Sequence, residues 1–217
     1  ILEIGAGTGG TTRLVLKRLQ SFGGRLEYWF TDISPQFVNL GKNNYSREYP
    51  FTRFGTLNIE KDVSEQGYTP HSFDIILETN AIHATRLIDR SLGFVHTLLQ
   101  EDGLLVLNEI TQFQDYWAYV AGIIDGWWLT QDESIRIANS PLLNFTAWKQ
   151  ALSSQHFANI RGSEVDRNKK YEQTIICAQA RPRAQQEEKY LSQDSAHMHR
   201  IESATGAPAV NGHAHQQ

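Results

Sequence analysis

Short apolar runs alternate with amphipathic segments over the first half of the chain. Residues 73–83 and 103–111 are almost continuously apolar, as expected for strands that helices cover on both faces. Residues 86–100 instead carry apolar side chains at helical spacing. In full, the pattern predicts strands at 1–4, 25–34, 51–59, 73–83 and 103–111, and helices at 11–19, 35–49 and 86–100. This alternation is typical of an α/β fold with a doubly wound, mostly parallel sheet.

The second half of the chain has a different pattern. Residues 113–129 are rich in aromatic side chains and are predicted to form a helix that lines a cleft, and residues 144–157 have the spacing of another helix. Residues 161–180 indicate a turn and a final strand, which is expected to run in the reverse direction. Few large apolar residues follow, so residues 1–180 are predicted to form the core and 181–217 a disordered linker or tail.

Composition narrows the class of protein. The 217 residues carry a formal net charge of -4, which gives no overall attraction to nucleic acid or to acidic membrane surfaces. Cys177 is the single cysteine, so no internal disulfide forms and a reducing compartment, the cytoplasm, is expected. No apolar run approaches the ~18 residues of a membrane span. Because the chain lacks an initiator Met and begins within a predicted strand, it is expected to be a piece of a longer protein.

The predicted tail contains four histidines, His197, His199, His213 and His215. Histidine is a common ligand of zinc. A flexible segment without cysteine or a scaffold of paired carboxylates does not hold several ligands in a fixed geometry, so a solvated linker is the favoured interpretation. No metal site is predicted.

The sequence ILEIGAGTGG at residues 1–10 places four glycines between a predicted strand and a predicted helix. Gly5, Gly7 and Gly10 match the G-x-G-x-x-G pattern of dinucleotide-binding enzymes. Gly5, Gly7 and Gly9 match the G-x-G-x-G loop that binds S-adenosylmethionine in methyltransferases. Glycine in such a turn lets a ligand approach the backbone, because no Cβ stands in the way. In the second interpretation Gly10 serves helix–strand packing.

Residues near the loop help to decide between these cofactors. Glu3 stands where methyltransferases carry an acidic residue that orders the loop; the alternative is a strand-end carboxylate satisfied by backbone amides. Asp32 ends the second strand and can accept both ribose hydroxyls in either class, or else cap the helix that starts at Pro35. Asn58, Ile59 and Glu60 lie at the end of the third predicted strand near the expected adenine, unless they belong to a solvated loop. The reversed final strand favours S-adenosylmethionine, since nicotinamide-binding domains lack it.

Two polar residues follow the apolar runs that come next in the chain. His83 lies just past the fourth predicted strand, and Glu109 lies near the end of the fifth. The carboxyl ends of neighbouring strands border the cofactor crevice, so the two side chains are expected to meet there. A carboxylate bound to one ring nitrogen orients a histidine and makes the other nitrogen more basic. The pair therefore predicts a base that removes a proton from an acidic carbon, although a lone histidine is more often structural.

Motifs in this order resemble the C-methyltransferase domains of polyketide synthases. Over about residues 1–160 they are LEIGAGTGGTT, FTDIS, LNIEKD, QGY, FDIILETNAIHAT, LLQEDGLLVLNEIT, GIIDGWWL and SPLL. HAT followed by GWW is far more specific than the glycine loop. The resemblance implies a Rossmann-like class I methyltransferase with seven strands. It also implies that a methyl group passes from S-adenosylmethionine to the α-carbon of a β-ketoacyl chain on an acyl carrier protein, amid neighbouring megasynthase domains.

The resemblance also implies roles for individual residues. His83 matches the general base, and Glu109 matches its paired carboxylate. The predicted cofactor-binding residues are Glu3, Gly5, Ala6, Gly7, Gly9, Asp32, Ile33, Asn58, Ile59 and Asn80. Trp127 and Trp128 match a tryptophan pair on the substrate side, with core packing as the alternative. No metal is required for this chemistry.

The chain departs from the family pattern in two ways. Asn58 stands where many members carry Asp, and the helical lid that precedes the glycine strand is missing, so this fragment is expected to be incomplete as a catalyst. Two rival functions remain: an O- or N-methyltransferase of a small molecule, and a non-catalytic methyltransferase-like domain that braces a megasynthase. A nicotinamide oxidoreductase is disfavoured, because no Tyr-x-x-x-Lys follows the glycine loop.

Overall fold

The computed structural model describes residues 1–113, 115–163 and 173–182, which form a seven-stranded sheet with helices around it. The strands are β1 (Leu2–Ile4), β2 (Tyr28–Asp32), β3 (Thr52–Thr56), β4 (Phe73–Thr79), β5 (Leu99–Ile110), β6 (Phe157–Gly162) and β7 (Gln173–Ala180). They are arranged in the order β3-β2-β1-β4-β5-β7-β6. β7 is antiparallel to β5 and β6, whereas β1 to β5 pair in parallel. The prediction of a doubly wound α/β sheet with a reversed last strand is confirmed.

Five α-helices occur in the described part of the chain: α1 (Gly10–Leu19), α2 (Pro35–Tyr45), α3 (Ile88–Leu98), α4 (Asp115–Val120) and α5 (Phe145–Ser154). Short 3-10 turns occupy Gln20–Phe22, Ile82–Ala84, Asp125–Trp128 and Glu133–Ile135. Two of the α-helix starts follow known local rules. Pro35 begins α2 with a backbone φ that suits a first turn. The side chain of Asn144 caps α5 by accepting the N–H of Ala147.

The connections run in opposite directions on the two sides of β1. The chain leaves β1 through α1 to β2 on one side, whereas β4 pairs with β1 on the other. Leu2 thus lies opposite Trp29 on one neighbour and Ile76 on the other. Doubly wound sheets bind ligands outside the carboxyl ends of their strands at such a point. The loop after β1, the turn after β4 and the end of β5 therefore border one crevice.

Apolar side chains from the sheet and from α3 and α5 form the main core. Ile4, Ile76, Leu105 and Trp148 are among its fully or almost fully buried members. Carboxyl groups are buried in the same sheet, at Glu3, Glu78 and Glu109, with 2%, 2% and 0% exposure. A buried charge is costly unless it is paired and hydrogen-bonded, so the partners of these groups define the site.

Three predicted elements differ from the structure. The helix predicted at 35–49 ends at Tyr45. Residues 113–129 do not form one helix, because α4 ends at Val120 and only the 3-10 turn Asp125–Trp128 follows. Gly122 and Gly126 lie in this stretch, and glycine disfavours helix interiors. The helix predicted at 144–157 ends at Ser154, since His156 adopts a positive φ of 70° and the chain turns into β6. The start of β6 at Phe157 was therefore assigned to the end of the predicted helix.

The predicted tail lies outside the described residues except for Arg181 and Pro182, and so do His197, His199, His213 and His215. Its assignment as a linker stays a prediction. Among the helices that the structure describes, none is long and apolar enough to cross a membrane.

Candidate active site

The glycine loop connects β1 to α1 through three residues with positive φ. The φ values are 64° at Gly5, 55° at Gly7 and 83° at Gly9, a region that side chains with a Cβ rarely adopt. A Cβ on Gly5 would lie 2.4 Å from the Cβ of Ala81, so this glycine also lets the loop approach the turn after β4. Gly10 makes no such close approach, since a Cβ on this residue would have nothing within 4 Å, and the prediction that it serves helix–strand packing is wrong.

Asp32 connects the end of β2 to the glycine loop. Its Oδ2 accepts the N–H of Gly7 at 2.9 Å, and its Oδ1 accepts the N–H of Ser34 at 2.8 Å. Ser34, and not Asp32, is the N-cap residue of α2. Each carboxylate oxygen has a second lone pair, so the group can still accept hydroxyl donors from a ligand. The next residue, Ile33, leaves 63% of its surface exposed beside this carboxylate.

Glu3 binds the elements that surround the loop. Its Oε2 accepts hydrogen bonds from the Thr12 hydroxyl at 2.6 Å and the Tyr28 hydroxyl at 2.7 Å. Burial raises the pKa of Glu3, and these two hydrogen bonds oppose that change. The alternative in which backbone amides satisfy this carboxylate is wrong, because its partners are hydroxyls on α1 and β2. The side chain thus orders the base of the loop.

The other predicted cofactor residues lie at the ends of neighbouring strands. Ala6 is buried, and its N–H donates to the carbonyl of Thr31. After β3, Asn58 accepts the N–H of Glu60 with its own side chain, and Ile59 is buried in the core. Asn80 follows β4 with a φ of 51°, and its Oδ1 accepts the N–H of Ile110 at 3.1 Å. Ala6 and Ile59 are thus buried, Asn58 lies in a local turn, and Asn80 connects the ends of β4 and β5.

His83 and Glu109 form a buried pair, as the strand order predicts. His83 lies in the 3-10 turn Ile82–Ala84, with 5% exposure. Its Nδ1 lies 2.7 Å from Glu109 Oε2, and its backbone N–H donates to Glu109 Oε1 at 3.2 Å. The same carboxylate therefore fixes the turn and the ring. Within the described part of the chain the Nε2 of His83 makes no hydrogen bond, so this nitrogen is free to take a proton.

Burial governs the protonation of this pair. It lowers the pKa of His83 below that of an ordinary imidazole, chiefly because the charged form loses its hydration. It raises the pKa of Glu109, while hydrogen bonds to its side chain and the nearby Arg136 guanidinium act in the opposite direction. The imidazole is consequently neutral at neutral pH, which is the state a general base needs.

Arg136 also holds the 3-10 turn Ile82–Ala84, which we call the histidine turn. Its guanidinium donates to the backbone carbonyls of His83, Thr85 and Pro141. Its Nε donates to Asp132 Oδ1 at 2.6 Å, and the other oxygen of that carboxylate accepts the N–H of Ile88. The side chain of Arg136 is 1% exposed. The backbone carbonyls of His83 and Thr85 are therefore anchored to a buried guanidinium.

Trp127 and Trp128 lie in different environments. Trp127 is 7% exposed and its ring meets the His83 ring at a centroid distance of 6.2 Å in an edge arrangement. Trp128 is 56% exposed, and its Nε1 donates to the carbonyl of Gly122 at 2.8 Å. Trp127 also packs with Ile110 and Leu142, so core packing and proximity to the histidine coincide in one residue.

Sequence reasoning missed Glu78 and Arg136. Glu78 lies within the apolar run FDIILET, and a carboxyl group in such a strand is itself a signal of a buried polar site. Arg136 lies in an irregular segment with no periodic pattern, 53 residues from His83. Nothing in the local sequence indicates its partners. No cluster of His, Cys, Asp and Glu suited to a metal ion occurs among the residues that the structure describes.

Known proteins resemble this chain over most of its length. A family described as a methyltransferase domain matches residues 2–105. The polyketide synthase ThaG of Burkholderia thailandensis is 37% identical over 178 residues, which cover 82% of this chain and 3% of that protein. The chain thus spans a small part of the length of this curated relative.

Two solved structures share both fold and sequence with the chain. The DszA carbon methyltransferase is 40% identical with a TM-score of 0.79, and the match covers 82% of this chain and 46% of that one. The trans-methyltransferase CalH, solved in complex with SAH, is 32% identical with a TM-score of 0.74. That match covers 82% of this chain and 50% of CalH.

Proposed function

The chain belongs to the S-adenosylmethionine-dependent carbon methyltransferase domains of polyketide synthases, and we propose that it methylates the α-carbon of a β-ketoacyl group carried by an acyl carrier protein. The resemblance drawn from the sequence motifs is thereby confirmed, and S-adenosylmethionine is the cofactor. Because the chain covers 3% of ThaG, we further infer that it is one domain of a large synthase whose neighbouring domains deliver the acyl chain.

One observation carries this proposal: a buried imidazole with one nitrogen at hydrogen-bond distance from a carboxyl group, and the other nitrogen without a hydrogen bond among the described residues. Glu109 Oε2 lies 2.7 Å from His83 Nδ1. We infer that Glu109 is ionised here, because its hydrogen bond with Glu78, the backbone N–H groups that it accepts and the Arg136 guanidinium oppose the effect of burial. An ionised Glu109 selects the tautomer with a proton on Nδ1, so the lone pair is on Nε2. A carbon between two carbonyls becomes nucleophilic only after it loses a proton, so it needs a positioned base of this kind. This arrangement therefore supports methylation at carbon.

His83, Glu109 and Arg136 have different roles in the removal of the proton. His83 Nε2 removes a proton from the carbon between two carbonyls, and the electron pair of the C–H bond delocalises onto the ketone oxygen as an enolate. The resulting imidazolium keeps the proton on its Nδ1 and donates it as a hydrogen bond to Glu109. The negative charge of Glu109 stabilises the imidazolium. Arg136 and the 3-10 turn hold the ring in place during this step. S-adenosylmethionine, when bound, supplies the electrophilic methyl group that the enolate carbon takes.

The residues of the loop fit this cofactor. Asp32 retains lone pairs for two ribose hydroxyls, and the exposed face of Ile33 offers an apolar surface beside it. A Cβ on Gly7 would have nothing nearer than the Gly5 carbonyl oxygen at 3.9 Å, so the loop is open on that side. We assign Glu3 and Gly9 to shaping this site, because the Glu3 carboxylate and the backbone of Gly9 already bind within the protein. Gly5 shapes it by letting the loop approach Ala81. We assign Asn58 and Asn80 to direct contacts with the cofactor.

The test is His83→Ala in the full-length protein, assayed with a β-ketoacyl group on its carrier protein. We expect methylation to fall by at least about 100-fold, because a positioned general base contributes about 100- to 10,000-fold. Binding of S-adenosylmethionine, measured by isothermal titration calorimetry, should stay unchanged, since His83 is not among the residues assigned to the cofactor.

His71→Ala is the matched control, because His71 lies before β4 and contacts the backbone of Leu99 away from the crevice. This variant should keep full activity. Full activity of His83→Ala would refute the base assignment. Transfer to hydroxyl or amino acceptors in a competition assay, without transfer to the β-ketoacyl carbon, would instead support an O- or N-methyltransferase. A wild-type protein that binds S-adenosylmethionine but methylates no acceptor would indicate a non-catalytic domain.

A further inference from the structure

A second buried carboxyl group, Glu78, lies beside the His83–Glu109 pair and has no part in the proton transfer described above. Glu78 is 2% exposed on β4 and lies opposite Leu107 of β5. Side chains two residues apart on a strand share a face, so Glu109 lies on the same face of the sheet as Leu107. Glu78 and Glu109 are therefore diagonal neighbours, within reach of long side chains.

The two carboxyl groups accept hydrogen bonds from different backbone N–H groups at the histidine turn. Glu78 Oε1 accepts the N–H groups of Ala81 and Ile82, the second at 3.1 Å. Glu109 Oε1 accepts the next N–H, that of His83, at 3.2 Å. Three successive N–H groups thus bind two side chains, and each carboxyl group fixes one part of the path that leads to the imidazole.

The other oxygen of Glu78 differs from the first. Oε2 is buried and has no partner within normal hydrogen-bond geometry among the residues that the structure describes, although the Glu78 side chain is close enough to Glu109 to lower the pKa of that carboxyl group through a hydrogen bond. An ionised oxygen in such a place would carry an uncompensated charge, whereas a protonated one is a neutral hydroxyl. Burial raises the pKa of Glu78 well above that of an ordinary carboxyl group, and the neighbouring Glu109 raises it further. Two carboxyl groups this close share one proton more readily than they both ionise.

We propose that Glu78 is a neutral carboxylic acid that positions the His83 base: its Oε1 holds the turn at Ala81 and Ile82, and its proton keeps the pair of carboxyl groups at one negative charge. This inference rests on the proposed function only in its kinetic consequence. The protonation state of Glu78 can be measured without any substrate.

The neutral state matters for the base. A negative charge on Glu78 would raise the pKa of His83, against the effect of burial. The ring would then hold its proton more strongly, and a smaller fraction of the enzyme would start the reaction with a free Nε2. With the proton on Glu78, the single charge on Glu109 orients the ring and stabilises the imidazolium that forms later.

The variants Glu78→Gln and Glu78→Leu separate these roles in the full-length protein. Glutamine is neutral and keeps an oxygen for the two N–H groups, so we expect kcat within about threefold of wild type. Leucine removes that oxygen and leaves both N–H groups unpaired. We expect its kcat to fall by about 100-fold, the scale of a misplaced catalytic group, while KM for S-adenosylmethionine stays within about twofold. A purely structural role would not give this split between kcat and KM together with rescue by glutamine.

Two further measurements make the outcome decisive, even where Glu78→Leu fails to fold. The acid limb of the pH profile of kcat/KM should coincide in wild type and Glu78→Gln, because neither carries a charge at this position. Without substrate, the infrared difference spectrum of wild type minus Glu78→Gln should contain the C=O stretch of a protonated carboxylic acid at pH 7.

Several outcomes would overturn the inference. They are wild-type activity in Glu78→Leu, a loss in Glu78→Gln as large as in Glu78→Leu, an acid limb that moves to lower pH in Glu78→Gln, or no protonated carboxylic acid in the infrared spectrum. The infrared result is independent of the acceptor. A wild-type protein that does not methylate a β-ketoacyl group therefore refutes the proposed function and leaves the protonation of Glu78 to be decided by the spectrum.

Discussion

Two neighbouring regions of the molecule differ in the side chains that they bury: one buries polar groups, and the other exposes apolar groups. At the ends of β4 and β5, polar side chains are buried: His83 is 5% exposed, Glu78 2% and Glu109 0%. In the segment from Tyr116 to Leu129, large apolar side chains face outward, including Tyr119 at 81% and Ile123 at 83% exposure. Trp127 belongs to this segment and yet touches the His83 ring, so the two regions meet at one side chain.

The difference shows where the structure fixes the chemistry. Buried polar networks are sensitive to any change, because each group that loses its partner keeps the full cost of leaving water. Exposed apolar side chains gain little from their surroundings and lose little when they are removed. Substitutions in the first region should therefore alter stability or rate strongly, whereas substitutions of the exposed side chains in the second region, such as Ile123, should change stability little.

The largest effect is expected from Arg136→Met. The substitution leaves Asp132 without its cation and removes the donors to three buried carbonyls. Breaking one partner of a buried ion pair costs about 3–5 kcal/mol. We expect the free energy of unfolding, measured by chemical denaturation, to fall by about that amount.

Arg53→Met is the control for this prediction, because Arg53 pairs with Glu27 on the surface, where both side chains are about half exposed. An exposed pair contributes about 0–1 kcal/mol. If Arg136→Met were no more destabilising than Arg53→Met, the buried guanidinium would not hold the histidine turn, and the contrast between the two regions would fail.

The next effect concerns rate and its pH dependence. Glu109→Gln keeps the shape of the side chain but removes the charge beside His83 Nδ1. The imidazolium formed during proton removal then lacks its counter-charge, so we expect kcat to fall by about 100-fold, or about 2.7 kcal/mol in the barrier.

The sign of the pH shift follows from the same contact. A neighbouring carboxylate favours the charged imidazolium, so its loss lowers the pKa of His83 further below the ordinary value. The acid limb of the pH profile of kcat/KM should therefore move to lower pH in Glu109→Gln. Glu27→Gln serves as control, because Glu27 binds Arg53 on the surface before β2, away from the crevice. An acid limb that stays in place, or moves to higher pH, would contradict the assignment of Glu109 as the ionised partner.

The sheet was predictable because its signal is local. Continuous apolar runs around residues 73–83 and 103–111 indicate strands covered on both faces, and they correspond to β4 and β5. The pairing of His83 with Glu109 followed from the rule that strand ends meet at one edge. β6 was missed because a helix end and a short strand share the apolar residues near Phe157, and the positive φ of His156 that separates them has no strong sequence signal.

The partners of the site depend on tertiary contacts that no local pattern carries. Arg136 reaches His83 across 53 residues from an irregular segment. Glu78 accepts the N–H groups of a turn only three and four residues further on, but those groups reach its side chain only because the chain turns after β4. Glu3 was predicted to order the loop, but its partners, the hydroxyl groups of Thr12 and Tyr28, could not be read from the sequence. Residue type and position are readable from a sequence, but the direction of a side chain is set by packing.

The smallest effect is expected in the exposed region and tests the other half of the comparison. Ile123→Ala should change the free energy of unfolding by no more than about 0.5 kcal/mol, because a surface substitution away from specific contacts costs little. Leu142→Ala is the matched control, since Leu142 is fully buried beside Trp127, and large-to-small changes in a core cost about 2–5 kcal/mol. Chemical denaturation of both variants gives the two values. If Ile123→Ala lowered the free energy of unfolding about as much as Leu142→Ala, the Ile123 side chain would be buried in solution. The segment would then not be an exposed region, and the comparison with the buried polar network would fail.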